Sequence, residues 1–205
     1  MAGRANSSRE RILATAEAII LQKGYTGTSL DDILDKAAIT KGGFFYHFNG
    51  KSELARALVQ RYLAEDQAMF DRLQARADEL SEDPLQRLLI FLQLLAEGVT
   101  GMNEVHPGCL AAAFIYEIQQ FDGDIRDQLA AGILTWRNMI AVRLNAILLK
   151  RTPRLPVNVE ALADMFTSAI EGGILLGRIF NSNTHLYNQV LTYRSYLRLL
   201  FDELP

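Results

Sequence analysis

Residues 40–51 read Thr-Lys-Gly-Gly-Phe-Phe-Tyr-His-Phe-Asn-Gly-Lys. These residue types suit the binding of a polyanion. A Thr40 hydroxyl at the start of a short helix caps one backbone N–H and leaves the others pointing outward, where they attract phosphate. Lys41 adds a cation at the same end. Gly42 and Gly43 carry no side chains, so backbone there approaches a sugar-phosphate chain or base edges closely. Each glycine costs a helix about 1 kcal/mol relative to alanine, so close approach or packing has to compensate. The rings divide by helical spacing. Phe44 and Phe48, four apart, share one face, which is expected to pack on the first and fourth helices. Phe45, Tyr46 and His47 are left facing a groove or its backbone, although for His47 a structural contact is an equal alternative. A buried amphipathic helix is the competing reading of 41–48, but a core helix does not open Lys-Gly-Gly.

The elements around this stretch read as helices. Ile12, Leu13, Ala16, Ile19 and Ile20 recur at three- and four-residue spacing between Arg9 and Lys23, with Ser7 or Ser8 as the expected N-cap and Gly24 as the stop. Thr28 or Ser29 caps a second helix, whose first turn holds Asp31 and Asp32 and whose buried face is Ile33, Leu34 and Ala37. A helix, a tight turn and a second short helix within residues 28–48 form the helix-turn-helix pattern, whose second member enters the DNA major groove. A fourth helix is expected from Ser52 to about Ala77, and further ones over 84–98, 108–121, 123–150, 158–181 and 185–203, with prolines between them. No alternating β-branched run appears, so the fold class is all-α.

Charge is distributed in a way that favours this reading. The net charge is −3. Residues 1–63 nevertheless hold nine Lys/Arg against six Asp/Glu, a basic head on an acidic remainder, and local charge governs nucleic-acid binding. The single cysteine, Cys109, excludes an internal disulfide and fits a reducing compartment. The polar start MAGRANSSRER has no apolar stretch behind it, and the run from Leu88 to Ala96 is half of what a bilayer requires. A cytoplasmic protein without a membrane partner is therefore expected.

TSLDDILDKAAITKGGFFYHFNGKSEL resembles the N-terminal domain of TetR/AcrR-family transcriptional regulators. Lys41, Gly42, Phe48, Lys51, Glu53 and Leu54 match the family pattern. The resemblance implies that Lys51 and either Thr28 or Ser29 touch phosphates. Two positions depart from it: Gly43 stands where Ser or Thr is usual, and Phe45 where a tyrosine commonly bonds a phosphate, a contact Tyr46 either assumes or leaves unmade. PGCLAAAF, from Pro107 to Phe114, is similar to the Gly-Cys-Leu start of the sixth helix in one branch of the family. A thiol at a helix N-terminus has a lowered pKa and reacts with electrophiles or oxidants, whereas the plainer reading of Cys109 is a small buried apolar residue.

By the same resemblance, the last two helices form a four-helix bundle with those of a second copy. Candidate interface positions are Leu162, Phe166, Ile170, Gly173, Gly177 and Phe180 on one stripe, and Val190, Tyr193 and Leu197 on the other. Gly172, Gly173 and Gly177 allow a close helix approach; the alternative is that both stripes line this chain's own core. The middle helices are expected to enclose an effector cavity, with Phe91, Leu95, Met102, Cys109, Phe114, Trp136, Met139, Ile140 and Met165 as candidate walls. Arg137, Arg143 and Arg178 either receive an anionic ligand, reach solvent or meet an internal acid.

Catalytic motifs are missing: there is no Gly-x-Ser-x-Gly elbow, phosphate-cradling glycine loop or His-Glu-x-x-His. Three scattered histidines and one cysteine do not make a metal site, and no cofactor is expected. The expected organisation is a helix-turn-helix DNA-binding domain over residues 1–50 and a helical ligand-binding and dimerisation domain over 51–205. Its partners are a palindromic double-stranded DNA operator, a small-molecule effector and a second copy of the chain. The expected function is a ligand-responsive regulator, most simply a repressor. The alternatives are an electrophile or redox sensor acting through Cys109, and a dimeric helical adaptor that does not bind DNA.

Overall fold

The computed structural model describes residues 2–121 and 123–201, with side chains from Ser8 onward. Among the described residues the chain is helical throughout: α1 (Ala2–Lys23), α2 (Leu30–Ala37), α3 (Lys41–Phe45), α4 (Lys51–Leu80), α5 (Pro84–Thr100), α6 (Leu110–Tyr116), α7 (Gly123–Leu148), α8 (Val159–Phe180) and α9 (Thr184–Phe201), with a 3-10 turn at Ile118–Gln120. The all-α expectation holds. Helix α1 starts well before Ser8, so Ser8 is not its cap.

The helices begin and end for local chemical reasons. Asp83 caps α5 through Gln86 N–H, with Pro84 in the first turn, where a missing N–H costs nothing. Asn158 caps α8 through Ala161 N–H. Ala38 ends α2 and Asn181 ends α8, each in the left-handed conformation, whose N–H turns back to satisfy a terminal carbonyl. The loops expected around 98–107 and 151–158 are present, the first beginning later because α5 runs on to Thr100 and the second beginning after Leu148.

Two compact units result, and they do not divide at residue 50. The first comprises residues 1–65 and 107–131; the second comprises 66–106 and 132–205. In the first unit, α1 packs on α2 and α6. Ile12, Leu13, Ala16, Ile19 and Ile20 of α1 are buried, as are Ile33, Phe44, Phe48, Leu54 and Leu58. Tyr25 lies against Phe121 and Phe114, with ring centroids 4.6 and 5.6 Å away. Residues 107–131 supply core to the first unit, from whose other residues they are distant in sequence.

In the second unit α9 packs on α8 and α5. Its centre is a ring cluster in which Phe70 meets Phe91, Trp136 and Phe166, and Phe166 also meets Tyr193, all at 6.0–6.3 Å between centroids. The Tyr193 hydroxyl donates to the Leu162 carbonyl at 2.9 Å. Its burial pushes the phenol's pKa far up, so it stays a neutral donor.

Candidate nucleic-acid interface

Helix α3 stands on its two buried rings. Phe44 and Phe48 are buried, 5.6 Å apart between centroids, and the Arg9 guanidinium covers Phe48 at 5.4 Å. Thr40 caps the helix by accepting from Gly43 N–H at 3.1 Å. With that face anchored, Thr40, Lys41, Gly42, Phe45 and Tyr46 are exposed, Tyr46 by 78%. The two glycines serve different ends. A methyl at Gly42 would meet nothing within 4 Å, whereas at Gly43 it would come within 3.1 Å of Ile39 Cγ2. Gly42 therefore keeps the outer surface of α3 bare, and Gly43 relieves crowding behind it.

Four of the expected contact residues have other occupations. Thr28 is buried, and its hydroxyl donates to the Gly24 carbonyl at 2.7 Å; it closes the α1–α2 turn. Ser29 is the true cap of α2. It accepts from Asp32 N–H at 3.0 Å while Asp32 accepts from Ser29 N–H at 3.0 Å, the reciprocal box expected at a helix start. Lys23, 2.8 Å from Asp32, and the Ser29 donors hold that carboxyl well below its usual pKa. His47 shares a hydrogen bond with the Ser8 hydroxyl at 2.8 Å, which makes its contact structural. Lys51 turns inward: its ammonium donates to the Tyr25 carbonyl and sits 4.0 Å from the Tyr25 ring centroid. Burial lowers its pKa, and the nearby Glu117 charge partly restores it.

The expected cavity residues are distributed over both compact units. Cys109 and Phe114 belong to the first unit, and Phe91, Leu95, Trp136 and Ile140 are buried in the second. Met102 lies exposed in the α5–α6 loop. Met139 lines an open groove of about 540 Å³ with Gln74, Asp78, Arg87, Asn138 and Arg143. Met165 borders a separate hollow of about 220 Å³ beside Pro156 and Tyr196. The arginines are matched internally: Arg137 grips Asp164 at 2.6 and 2.8 Å, and Arg143 bonds Gln74 and Asp78 at 2.8 Å.

The expected interface stripes face inward. Leu162, Phe166, Gly173, Gly177, Val190, Tyr193 and Leu197 are buried within this chain, and Ile170 is half-buried. The helix that approaches Gly173 is α9 of the same chain, since a methyl there would lie 2.7 Å from Leu186 Cα. Phe180 remains exposed, as do Leu175 and Ile179. The outward stripe on α8 therefore runs Met165, Gly172, Leu175 and Ile179, and on α9 Tyr196 and Leu199 are exposed. The sequence pattern showed an apolar stripe without showing that a second, smaller one lay beside it.

One contact left no trace in the pattern. Glu117 receives Tyr25 N–H at 2.7 Å and Thr26 N–H at 2.8 Å. Burial works to raise its pKa, but hydrogen bonds from the Thr26 hydroxyl, Thr26 N–H and Tyr25 N–H outweigh this and lower it.

The family model described as "Bacterial regulatory proteins, tetR family" matches residues 12–58. The model described as "Tetracyclin repressor-like, C-terminal domain" matches residues 84–191. The probable transcriptional regulator ArpR of Pseudomonas putida is 32% identical over 184 residues, covering 85% of this chain and 80% of its own. The repressor NemR of Escherichia coli is 28% identical over 143 residues, covering 69% of this chain and 68% of its own. A TetR-family regulator from Agrobacterium tumefaciens, 23% identical, superposes with a TM-score of 0.77 over 97% of this chain and 100% of its own. With its helix-turn-helix, its exposed α3 surface and these matches across both modules, the chain belongs to the TetR family of DNA-binding transcriptional regulators.

Proposed function

We propose that the protein is a cytoplasmic homodimeric repressor that reads a palindromic operator and is released from it by a small-molecule effector. The observation that carries the DNA contact is the outer surface of α3: Thr40, Lys41, bare Gly42, Phe45 and Tyr46, exposed on a helix whose Phe44 and Phe48 anchor it. Lys41 neutralises a phosphate, Gly42 lets backbone approach, and the two rings offer apolar edges of the kind that meet thymine methyl groups. Two heads about one helical turn apart, roughly 34–36 Å, would read adjacent major grooves. The outward stripe of Met165, Gly172, Leu175 and Ile179 supports pairing through α8 and α9. An effector favours release by binding more tightly to a state in which the heads are wrongly spaced.

The test is selection of fragments from the source genome by the purified protein at moderate salt. A few palindromic sites should be enriched. Lys41→Ala should weaken binding across all of them and lower the log-log salt slope by about one. A folded dimer that enriches nothing would leave a DNA-blind adaptor.

A second reading rests on Cys109. It caps α6, accepting from Ala112 N–H at 3.3 Å, and its sulfur lies 3.2 Å from the Tyr62 hydroxyl. In the Tyr62 pair either the hydroxyl or the thiol can be the donor, and alkylation or oxidation of the sulfur would cost α6 its cap. A Cys109→Ser variant that still leaves DNA on treatment with an aldehyde or hypochlorite would remove this reading.

A further inference from the structure

The turn between α1 and α2 is held from a distance. Glu117, at the end of α6, stands 92 residues beyond Tyr25 and 91 beyond Thr26. Its Oε1 accepts from Tyr25 N–H, and its Oε2 accepts from both Thr26 N–H and the Thr26 hydroxyl. Gly24, at φ +79°, lets the two successive N–H groups converge on one anion, and a methyl at Gly24 would lie 2.5 Å from Oε1. Successive backbone N–H groups after a left-handed residue form a concavity suited to a carboxylate. Around it, Lys51 fixes the Tyr25 carbonyl, and Phe114 and Phe121 hold the Tyr25 ring.

The two sides of this contact lie in one compact unit but fall under different family models. Tyr25 and Thr26 fall within the match to the regulators' N-terminal region, residues 12–58, whereas Glu117 falls within the C-terminal match, residues 84–191. The turn leads directly through the Thr28 bond and the Ser29 cap into α2 and then α3. A shift of the α6 end therefore moves the root of the reading pair through hydrogen bonds to a charged acceptor, which are stronger and more directional than apolar contacts.

We infer that Glu117 is a positioning residue for DNA recognition: through its carboxylate the end of α6 sets the α1–α2 turn, and with it the attitude of α2 and α3 towards the operator. The inference rests on the DNA-binding reading above. It differs from a role in stability alone, because it requires specific binding to suffer more than non-specific binding. Non-specific affinity comes from cations meeting phosphates, and Lys41 is untouched by the change.

The experiment compares wild type, Glu117→Gln, Thr26→Val and the double variant as full-length proteins. The probes are an operator fragment recovered by the genomic selection and a scrambled duplex of equal length. Thermal melting is followed in parallel, and binding is read well below every melting point. Glu117→Gln places an amide N–H₂ against converging N–H donors. It should lower the operator-to-scrambled affinity ratio at least about tenfold. Thr26→Val should lower it about threefold, and the double variant should lose no more than Glu117→Gln alone, since both changes remove one interaction. An unchanged ratio, additive losses, or equal losses on both duplexes would overturn the inference. If Glu117→Gln does not fold, Thr26→Val decides alone: a fall supports the inference and an unchanged ratio overturns it. Failure of the wild type to prefer any operator would instead overturn the DNA-binding reading, and this inference with it.

Discussion

Gly172 and Gly173 are neighbours in α8, yet alanine should act on them with opposite sign. Either substitution removes glycine's excess backbone freedom in the unfolded chain, a gain of about 1 kcal/mol inside a helix. At Gly173 the new methyl would lie 2.7 Å from Leu186 Cα and 3.0 Å from Leu186 Cδ1. The backbone atom cannot swing aside, so α8 and α9 must separate, and α9 in turn packs on α5. Overpacking of this kind costs about 1–3 kcal/mol, with the upper end favoured where backbone is struck. The net expectation for Gly173→Ala is a loss of about 1–2 kcal/mol, or about 2–8 °C in melting temperature for a chain of this size. At Gly172 nothing lies within 4 Å, so the single chain should gain up to about 1 kcal/mol. Gly172 also lies on the outward stripe, so there the methyl should weaken association of two copies. Urea unfolding at several protein concentrations, alongside sedimentation, separates the two effects. Gly173→Ala at or above wild-type stability would refute the account of α8–α9 packing. Gly172→Ala without effect on dimerisation would refute the position of the outward stripe.

Other substitutions test single bonds. Thr28→Val should cost about 1–2 kcal/mol in urea unfolding by orphaning the Gly24 carbonyl, and should leave the salt slope of DNA binding unchanged, as a residue without a phosphate contact must. Tyr193→Phe should cost a similar amount, about 1–2 kcal/mol, through the lost donor to Leu162, with no change in DNA affinity at temperatures where the variant is folded. His106 has its pKa lowered by burial and then by the Arg178 charge. The folded chain therefore binds its proton less readily than the unfolded chain does. Stability should be complete above the unfolded value of 6.5 and decline as pH falls below it towards the depressed folded value. The urea midpoint measured at pH 7.5 and 5.5 should fall more for wild type than for His106→Gln.

What could be read without coordinates was local. The spacing of Ile12, Leu13, Ala16, Ile19 and Ile20 and the pair Phe44/Phe48 mark buried faces correctly because helical periodicity is a property of adjacent turns. Lys41, Gly42 and Tyr46 are exposed for the same reason. The residues whose occupations were not legible depended on a turn geometry or on partners far along the chain. Thr28 and Ser29 were interchangeable as candidate caps, and only the turn at Gly24 decides which hydroxyl goes inside. His47 was undecidable until Ser8 arrived beside it. An apolar stripe such as Leu162, Phe166 and Gly173 looks the same whether it meets α9 of its own chain or a second copy. Phe91 and Trp136 looked like cavity walls because ring content alone does not distinguish a lined hollow from a filled one.

The composition of the first compact unit, residues 1–65 together with 107–131, has a consequence during synthesis. The polypeptide leaves the ribosome at about 5–20 residues per second. The reading helices therefore emerge several seconds before Phe114, Glu117 and Phe121 exist to close their core. Throughout that interval the Tyr25 ring has neither of its aromatic neighbours and the turn lacks its carboxylate. A truncated product ending within α5 would carry the exposed face of α3 yet lack the parts that complete its support. The order of the chain thus delays completion of the first unit's core until the end of α6 has been made, and a chain cut short before then would leave the Tyr25 turn unsupported.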